Sequence, residues 1–341
     1  MKGSFMQKRP VKIFLIIMSF ILVISLAGCF DYTYYYPDSV SSSTETSGSA
    51  AATTSYYAGS GFDIHRNPYY AMLSETEKRA YSFVYEELSE GNDKFECPIT
   101  INAAQLAKAV DAVLNDHPEL FWIDNNYVYS YDTFDYSIKE VSFNFFDFAD
   151  TPEKLEKAKS EFESAARVIV SKANRYTSIA ERELYIHDYI CDNTEYDETA
   201  PYNQSAYSVI VLHKSVCAGY SRGFQYLMQK AGYTCYYVMG KTDTNRGQAV
   251  ESSDFNGSHS WNIVLLGGQY YNVDCLWDDT ASEIYGSSIY PFFNVTDEAL
   301  IHHERIQMAV DLPQCKGMEY KYSNQFGPTI EADSIVFSDA A

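Results

Sequence analysis

Apolar residues recur at helical spacing through the first half of the chain. This periodicity predicts four helices, over residues 74–90, 102–115, 151–173 and 178–191. Ser74 and Glu77 form a capping-box pattern at the start of the first helix. Two runs rich in β-formers, 121–131 and 138–148, lie between the second and third helices. The pattern therefore predicts a small α/β unit within residues 61–150.

The second half of the chain changes to a helix followed by a hairpin. Apolar side chains recur at i, i+3, i+4 and i+7 after Cys217 and predict a helix that ends near Gly232. Two runs rich in β-formers, 259–266 and 269–275, flank Gly267-Gly268, which predicts a hairpin with a two-residue turn. We therefore expect an α+β core in which a helix that carries a cysteine packs on an antiparallel sheet.

The remaining elements complete a predicted domain plan. We predict a further helix over residues 298–310. The core domain then spans residues 151–311, and residues 312–341 form a C-terminal segment. The chain has 341 residues, which is enough for one large domain or two small ones.

Three residues of the core carry the groups that thiol acyl transfer needs. Cys217 would lie at a helix N-terminus, where unpaired N–H groups and the helix dipole favour a thiolate. The hairpin would bring His259 beside Asp274, and a carboxylate beside an imidazole fixes its tautomer and supports its charged form. We predict Cys217 as the nucleophile, His259 as the base and acid, and Asp274 as the group that orients the base.

A competing motif lies next to the cysteine. Residues 219–223, Gly-Tyr-Ser-Arg-Gly, fit the G-x-S-x-G nucleophile elbow of α/β-hydrolases. That elbow requires its serine on the turn between strand and helix, whereas Ser221 falls within the first turns of the predicted helix. The hydrolase chain order would also require Asp274 with His302 or His303. The cysteine interpretation fits the pattern better.

These residues resemble the transglutaminase-like superfamily, whose papain-like core carries Cys, His and Asp in this chain order. The likeness covers roughly residues 180–280 and includes His259-Ser260-Trp261-Asn262, where His-Ala-Trp-Asn is usual. Ala218 and Ser260 depart from the usual residues, but neither removes a catalytic atom. Residues 116–122 and 293–297 also look like flanks of lipoproteins in this group. The resemblance implies a thiol enzyme that acts on amide bonds through an acyl-enzyme, without a cofactor.

The N-terminus is similar to that of a bacterial lipoprotein. A basic start precedes an almost wholly apolar stretch from Val11 to Leu26, which ends in the lipobox-like Leu26-Ala27-Gly28-Cys29. We expect removal of residues 1–28, lipid attachment at Cys29 and a flexible tether over 29–60. An uncleaved membrane anchor is the alternative. Both place the protein at the cell membrane, on its extracytoplasmic face.

Charge and cysteine usage narrow the choice of partners. The chain has 25 Lys and Arg against 46 Asp and Glu, a formal net charge of −21, which argues against nucleic acid as a partner. No C-x-x-C motif or zinc spacing occurs among the seven cysteines. Cys235 and Cys275 could pair or remain buried thiols. His302-His303 lacks a spaced ligand partner, so we predict no metal site.

The expected function is that of a membrane-anchored cysteine peptidase or amidase that acts on envelope peptides or extracellular proteins. The same triad serves transfer to an amine, so a protein-glutamine acyltransferase that crosslinks proteins is an alternative. A catalytically silent protein- or glycan-binding module on the same fold is the other alternative. The presence of all three triad residues favours an enzyme.

Overall fold

The computed structural model describes residues 62–63, 65–243 and 255–335. The signal sequence, the lipobox with Cys29 and the tether lie outside these ranges, so their predictions stay predictions. The described residues belong to one compact unit. Within these ranges, no helix combines the length and the apolar character needed to cross a membrane.

In the N-terminal part, helices pack beside a three-stranded antiparallel sheet. The two longer helices and two of the strands match the prediction, whereas the short first helix and the first strand were not predicted. The capping box at Ser74 and Glu77 is formed, and Gly91 ends the same helix at φ 86°. The sheet order is β1-β3-β2. The elements are α1 (Pro68–Ala71), α2 (Glu75–Glu90), β1 (Lys94–Glu96), α3 (Ala103–Asp116), β2 (Ile123–Tyr131) and β3 (Ile138–Phe145).

Three long helices and a short parallel strand pair follow. Thr151 and Ser178 cap the first two helices through their side chains, so both start where the sequence predicts. A π-helical turn over Ser208–Leu212 interrupts the connection to the third helix. The elements are α4 (Pro152–Ala173), α5 (Ile179–Asn193), β4 (Glu195–Tyr196), β5 (Lys214–Ser215) and α6 (Cys217–Lys230).

A four-stranded antiparallel sheet forms the other half of the core and packs against α6. Its strands are β6 (Thr234–Asp243), β7 (Phe255–Leu266), β8 (Gln269–Val273) and β9 (His303–Arg305), in the order β8-β7-β6-β9. The predicted hairpin is confirmed: Leu266 faces Gln269 across Gly267 and Gly268, at φ 56° and 81°. Helix α7 (Cys275–Tyr285) follows β8 directly. The predicted α+β class is thus confirmed.

The helix predicted over residues 298–310 is wrong. That segment instead contributes β9, in which His303 faces Thr242 and Arg305 faces Gly240 of β6. Pairing with β6 satisfies backbone groups at the sheet edge and outweighs local helix propensity. Short elements follow it: 3₁₀ turns over Gln307–Asp311 and Ala332–Ser334, and α8 (Tyr322–Gln325).

The N-terminal part contacts the helix that carries Cys217. The guanidinium of Arg222 in α6 donates to the Leu114 carbonyl at the end of α3. It also lies over the ring of Tyr237, 4.4 Å from its centroid. Gln225 Nε2 donates to the Asn115 carbonyl at 2.8 Å. Helix α6 therefore lies between the sheet and the N-terminal part. The domain boundaries at residues 150 and 311 stay predictions.

Candidate active site

Cys217 is the first residue of α6 and is buried, with 6% of its surface exposed. The helix starts there because Val216 is extended and its carbonyl accepts from the Gly219 and Tyr220 N–H groups. Val216 has no side-chain cap to offer these first N–H groups. The positive end of the helix dipole is therefore directed at the cysteine.

The start of α6 is fixed by close packing around Gly219. A Cβ at that position would collide with Ser215 Oγ and would lie 2.6 Å from the Asn203 carbonyl oxygen. Ser215 Oγ in turn donates to that carbonyl at 2.7 Å and contacts Ser208 Oγ. Only glycine fits at residue 219 without moving these groups.

Polar contacts set the position of α6 against β7. Ser221 Oγ lies 2.9 Å from the Cys217 carbonyl oxygen and 3.3 Å from Ser260 Oγ. Asn262 Nδ2 donates to the Ser221 carbonyl at 2.9 Å. The first turns of α6 therefore lie beside Ser260, the residue that follows His259. Ser221 lies within α6 and not on a strand-to-helix turn, which argues against the serine-elbow alternative.

The hairpin brings His259 and Asp274 into contact. His259 Nε2 lies 2.6 Å from Asp274 Oδ2, and both residues are buried. Asp274 is the N-cap of α7, and its Oδ1 accepts from the Trp277 N–H at 3.0 Å. One carboxylate thus caps a helix through one oxygen and binds an imidazole through the other. The contact is the one that the hairpin predicts, whereas the catalytic roles of the three residues stay predictions.

His303 is a further member of this cluster that the sequence did not reveal. Its Nε2 lies 2.9 Å from the same Asp274 Oδ2, and its side chain is completely buried. The sequence offers His302-His303 no ligand partner at metal-site spacing. The contact with Asp274 arises because the segment pairs with β6 and does not form the predicted helix. His302 is held elsewhere, with Nδ1 3.3 Å from Asp243 Oδ2.

Electrostatics in the cluster favour an ionised Asp274. Burial by itself would raise the pKa of Asp274, but the charge and hydrogen bond of His259 and the hydrogen bond of His303 hold it well below its usual range. Burial lowers the pKa of His303 to about 4, against the opposing pull of Asp274. His303 is therefore neutral at pH 7, beside a carboxylate that is ionised.

His259, Asp274 and His303 also carry donor types that bind metal ions, with ligand atoms within 4.8 Å of one another. A metal-bound histidine normally donates its other ring N–H to an acceptor. His303 Nδ1 is buried and has no hydrogen-bond partner among the described residues. The cluster thus fits two imidazoles hydrogen-bonded to one carboxylate better than a metal site.

A second histidine–carboxylate pair lies on α5 and α7. His187 Nε2 is 3.0 Å from Asp278 Oδ2, and burial raises the pKa of Asp278 to about 6. Asp278 Oδ1 accepts from the Phe292 N–H at 2.8 Å. Cys191 Sγ lies 3.8 Å from His187 Nε2. This pair joins α5, α7 and the following loop, in line with the structural role that the sequence suggested for His187.

The six described cysteines are all thiols, and no disulfide occurs within the described ranges. Of the two alternatives for Cys235 and Cys275, the structure has buried thiols. Cys275 is the first residue of α7 and does not lie in the sheet, contrary to expectation. Its backbone carbonyl accepts from Cys191 Sγ at 3.3 Å.

Comparison with known proteins finds one family model that matches about a third of the chain. Residues 163–275 match the family model described as the transglutaminase-like superfamily, and this segment contains Cys217, His259 and Asp274. Kyphoscoliosis peptidase of Mus musculus and that of Homo sapiens are each 28% identical to the chain over 129 residues. These matches cover 35% of this chain and only 20% of each relative.

Two solved structures match parts of the chain at low identity and low TM-score. A crystal structure of a TGase is 12% identical, covers 53% of this chain and 50% of that chain, and has a TM-score of 0.29. The periplasmic domain of TgpA from Pseudomonas aeruginosa, bound to ethylmercury, is 11% identical, covers 42% of this chain and 60% of that chain, and has a TM-score of 0.28.

Proposed function

Residues 163–275 of this chain belong to the transglutaminase-like superfamily, and on that basis we propose that the protein is a cysteine peptidase or amidase. The family supports a peptidase or acyltransferase activity in general. The observation that supports a thiol enzyme is the 2.6 Å contact of His259 with Asp274, on the strand beside the start of the cysteine-bearing helix.

The proposed reaction follows from the orientation of His259. Its Nε2 is engaged by Asp274, so Nδ1 is the nitrogen left to exchange a proton with the thiol. The Cys217 thiolate attacks the amide carbonyl carbon, and the C–N bond breaks as the imidazolium of His259 protonates the leaving amine. Water, deprotonated by His259, then attacks the thioester and releases the acid and the thiol.

Asp274 supports both steps through charge. It is desolvated yet ionised, so it stabilises the imidazolium that forms on His259. The positive end of α6 would stabilise negative charge that develops next to Cys217. Burial strengthens both interactions, because water does not screen them.

The location and substrate belong to the same proposal. The lipobox ending at Cys29 supports lipid anchoring at the extracytoplasmic face, where envelope peptides and extracellular proteins are the available amides. The alternatives are a protein-glutamine acyltransferase, which differs only in the acyl acceptor, and a catalytically silent binding module. The intact set of Cys217, His259 and Asp274 favours chemistry over the silent module.

Alkylation of the thiols across pH tests the proposal. The full chain in detergent is treated with iodoacetamide from pH 5 to pH 9, and modified cysteines are quantified by mass spectrometry. We expect alkylation of Cys217 below pH 7 and loss of this preference in His259→Ala. Cys315→Ser is the matched control, since Cys315 is also a buried thiol, and burial raises its pKa well above the usual range.

The same preparations then separate the three functions. A peptide library reports hydrolysis, and a fluorescent primary amine reports transfer. Hydrolysis that is lost in His259→Ala and kept in Cys315→Ser supports the peptidase, whereas incorporation of the amine without hydrolysis supports the acyltransferase. If Cys217 reacts no faster than Cys315 at any pH, the proposed enzyme is wrong and the binding module is the better description.

A further inference from the structure

Asp274 holds two imidazoles on one oxygen. His259 Nε2 and His303 Nε2 lie 2.6 and 2.9 Å from Asp274 Oδ2, while Asp274 Oδ1 accepts from the Trp277 N–H. The carboxylate therefore has three nitrogen donors from three different segments of the chain. The proposed reaction uses only the contact with His259.

The surroundings of His303 fix its protonation state and tautomer. Its ring packs at centroid distances of 4.2 Å from Trp277 and 5.0 Å from Trp261. Nδ1 has no partner among the described residues, so a proton on Nδ1 would be a buried donor without an acceptor. The proton therefore belongs on Nε2, where it is donated to Asp274. Burial, which keeps the ring neutral at pH 7, agrees with this assignment.

The titratable groups that act on His303 come from three elements. They are Asp274 at the start of α7, His259 on β7, and the adjacent His302. Asp274 supports a charged His303, while His259 and His302 oppose it. Because β9 pairs with β6, the backbone of His303 is fixed opposite Thr242. The donor is thus a buried side chain on a backbone that the sheet holds in place.

We propose that His303 is a positioning residue of the reaction: its neutral Nε2–H holds Asp274 Oδ2 in place, so that this oxygen orients His259 towards Cys217. The proposal rests on the proposed function for its kinetic consequence, but not for the tautomer of His303. Two fixed donors, from β9 and from Trp277, keep the carboxylate plane constant when His259 gains and loses its proton.

Two variants at one position separate donation from packing. His303→Gln keeps an N–H donor at similar reach, whereas His303→Phe keeps an aromatic ring without a donor. We expect His303→Phe to lower kcat at least about 10-fold with little change in KM, and His303→Gln to stay within about 3-fold of the wild type. The pH at which Cys217 becomes half alkylated should move in His303→Phe and not in His303→Gln.

A measurement on the unaltered chain keeps the test independent of folding and of activity. Long-range ¹⁵N NMR of the full chain in detergent reports the tautomer and charge of each histidine ring. We expect His303 to be neutral with its proton on Nε2 at pH 6. The tautomer and charge of His303 can be measured even if Cys217 proves unreactive. Failure of the proposed function and failure of this proposal are therefore distinguishable.

Several outcomes would overturn the proposal. A proton on Nδ1 alone would remove the Nε2–H donor, and a charged His303 would contradict the neutral ring that the proposal requires. Wild-type kcat and an unshifted alkylation profile in His303→Phe would show that Asp274 does not need the donor from His303. If His303→Gln is as impaired as His303→Phe, and if chelator treatment inactivates the wild type until Zn²⁺ is added back, His303 is a metal ligand instead.

Discussion

At the scale of single residues, Asp274 combines a buried negative charge with three hydrogen-bond donors. It is buried, ionised and bound by donors from His259, His303 and Trp277. Asn at this position would keep an acceptor oxygen for one donor but would lose the charge that stabilises the imidazolium. Asp274 is therefore the residue at which geometry and charge can be separated experimentally.

We expect Asp274→Asn to lower kcat by about 100-fold or more, because His259 would lose both its charged partner and its tautomer control. Steady-state kinetics on a peptide hydrolysed by the wild type would measure this. Asp279→Asn is the matched control, since Asp279 is also buried but binds Tyr220 OH at 3.0 Å. An equal loss of kcat in both variants would point to a general folding defect.

The pH dependence of stability below pH 7 should reveal the lowered pKa of His303. Its pKa is about 4 in the folded state, below its value in an unfolded chain, so the unfolded chain binds more protons between pH 6.5 and pH 4. The free energy of unfolding therefore decreases as pH falls through this window. We expect His303→Gln to lose about 2 kcal/mol less than the wild type between pH 7 and pH 5. Asp274 does not interfere, because its depressed pKa places its own loss at lower pH.

Urea unfolding at the two pH values provides the measurement. The buried carboxyls Asp116 and Asp278, whose pKa values burial raises to about 7 and about 6, oppose this trend equally in both proteins. Their contributions to the pH dependence of stability therefore cancel when the wild type and His303→Gln are compared. An identical pH dependence in the two proteins would contradict a neutral, buried His303.

At the scale of elements, the start of α6 depends on glycine. Gly219→Ala would force its Cβ into Ser215 and the Asn203 carbonyl, so β5 or the first turn of α6 must move. We expect a loss of stability of about 2 kcal/mol or more, together with slower alkylation of Cys217. Thermal unfolding and alkylation rates measure the two effects.

The double variant Gly219→Ala with Ser215→Gly is the control. It should restore only part of the lost stability, because the Asn203 carbonyl remains. Full recovery would show that the serine alone causes the strain.

Helix α5 contains a buried acid, Glu183, whose effect on the pH dependence of stability is opposite in sign to that of His303. Glu183 accepts from Asn294 Nδ2 at 2.7 Å, and burial raises its pKa to about 8. The stability that depends on its protonated form is present at acid pH and is lost as pH rises through about 8. We expect Glu183→Gln to be more stable than the wild type at pH 9, by about 2 kcal/mol or more, and similar to it at pH 4. Urea unfolding that shows no difference at pH 9 would contradict this.

At the scale of the whole molecule, the N-terminal part covers α6. Tyr69 OH donates to the Tyr237 carbonyl at 2.6 Å, and Arg222 and Gln225 bind carbonyls at the end of α3. A segment starting at residue 151 would expose these groups and the apolar surface beside them. We therefore expect residues 151–335 alone to lack a cooperative thermal transition and native near-UV circular dichroism. A cooperative transition like that of the full chain would show that the N-terminal part is dispensable for folding.

Much of the site could be predicted because its signals are local. The hydrophobic period and Gly232 identify α6, and Gly267-Gly268 identifies the hairpin that joins His259 to Asp274. The capping side chains of Ser74, Thr151 and Ser178 likewise mark helix starts, because each accepts from a backbone N–H only three residues later in the chain. Each of these features depends on neighbours in sequence, so the pattern alone contains the information.

What the sequence by itself determined was therefore the set of capped helices, the hairpin and the contact of His259 with Asp274. Only the tertiary structure decided that residues 303–305 form a strand, because that outcome depends on an edge offered by β6, about sixty residues earlier in the chain. The same pairing brought His303 to Asp274, and burial then set its charge. Local propensity does not encode long-range edge pairing or desolvation, since both arise only when distant segments exclude water together.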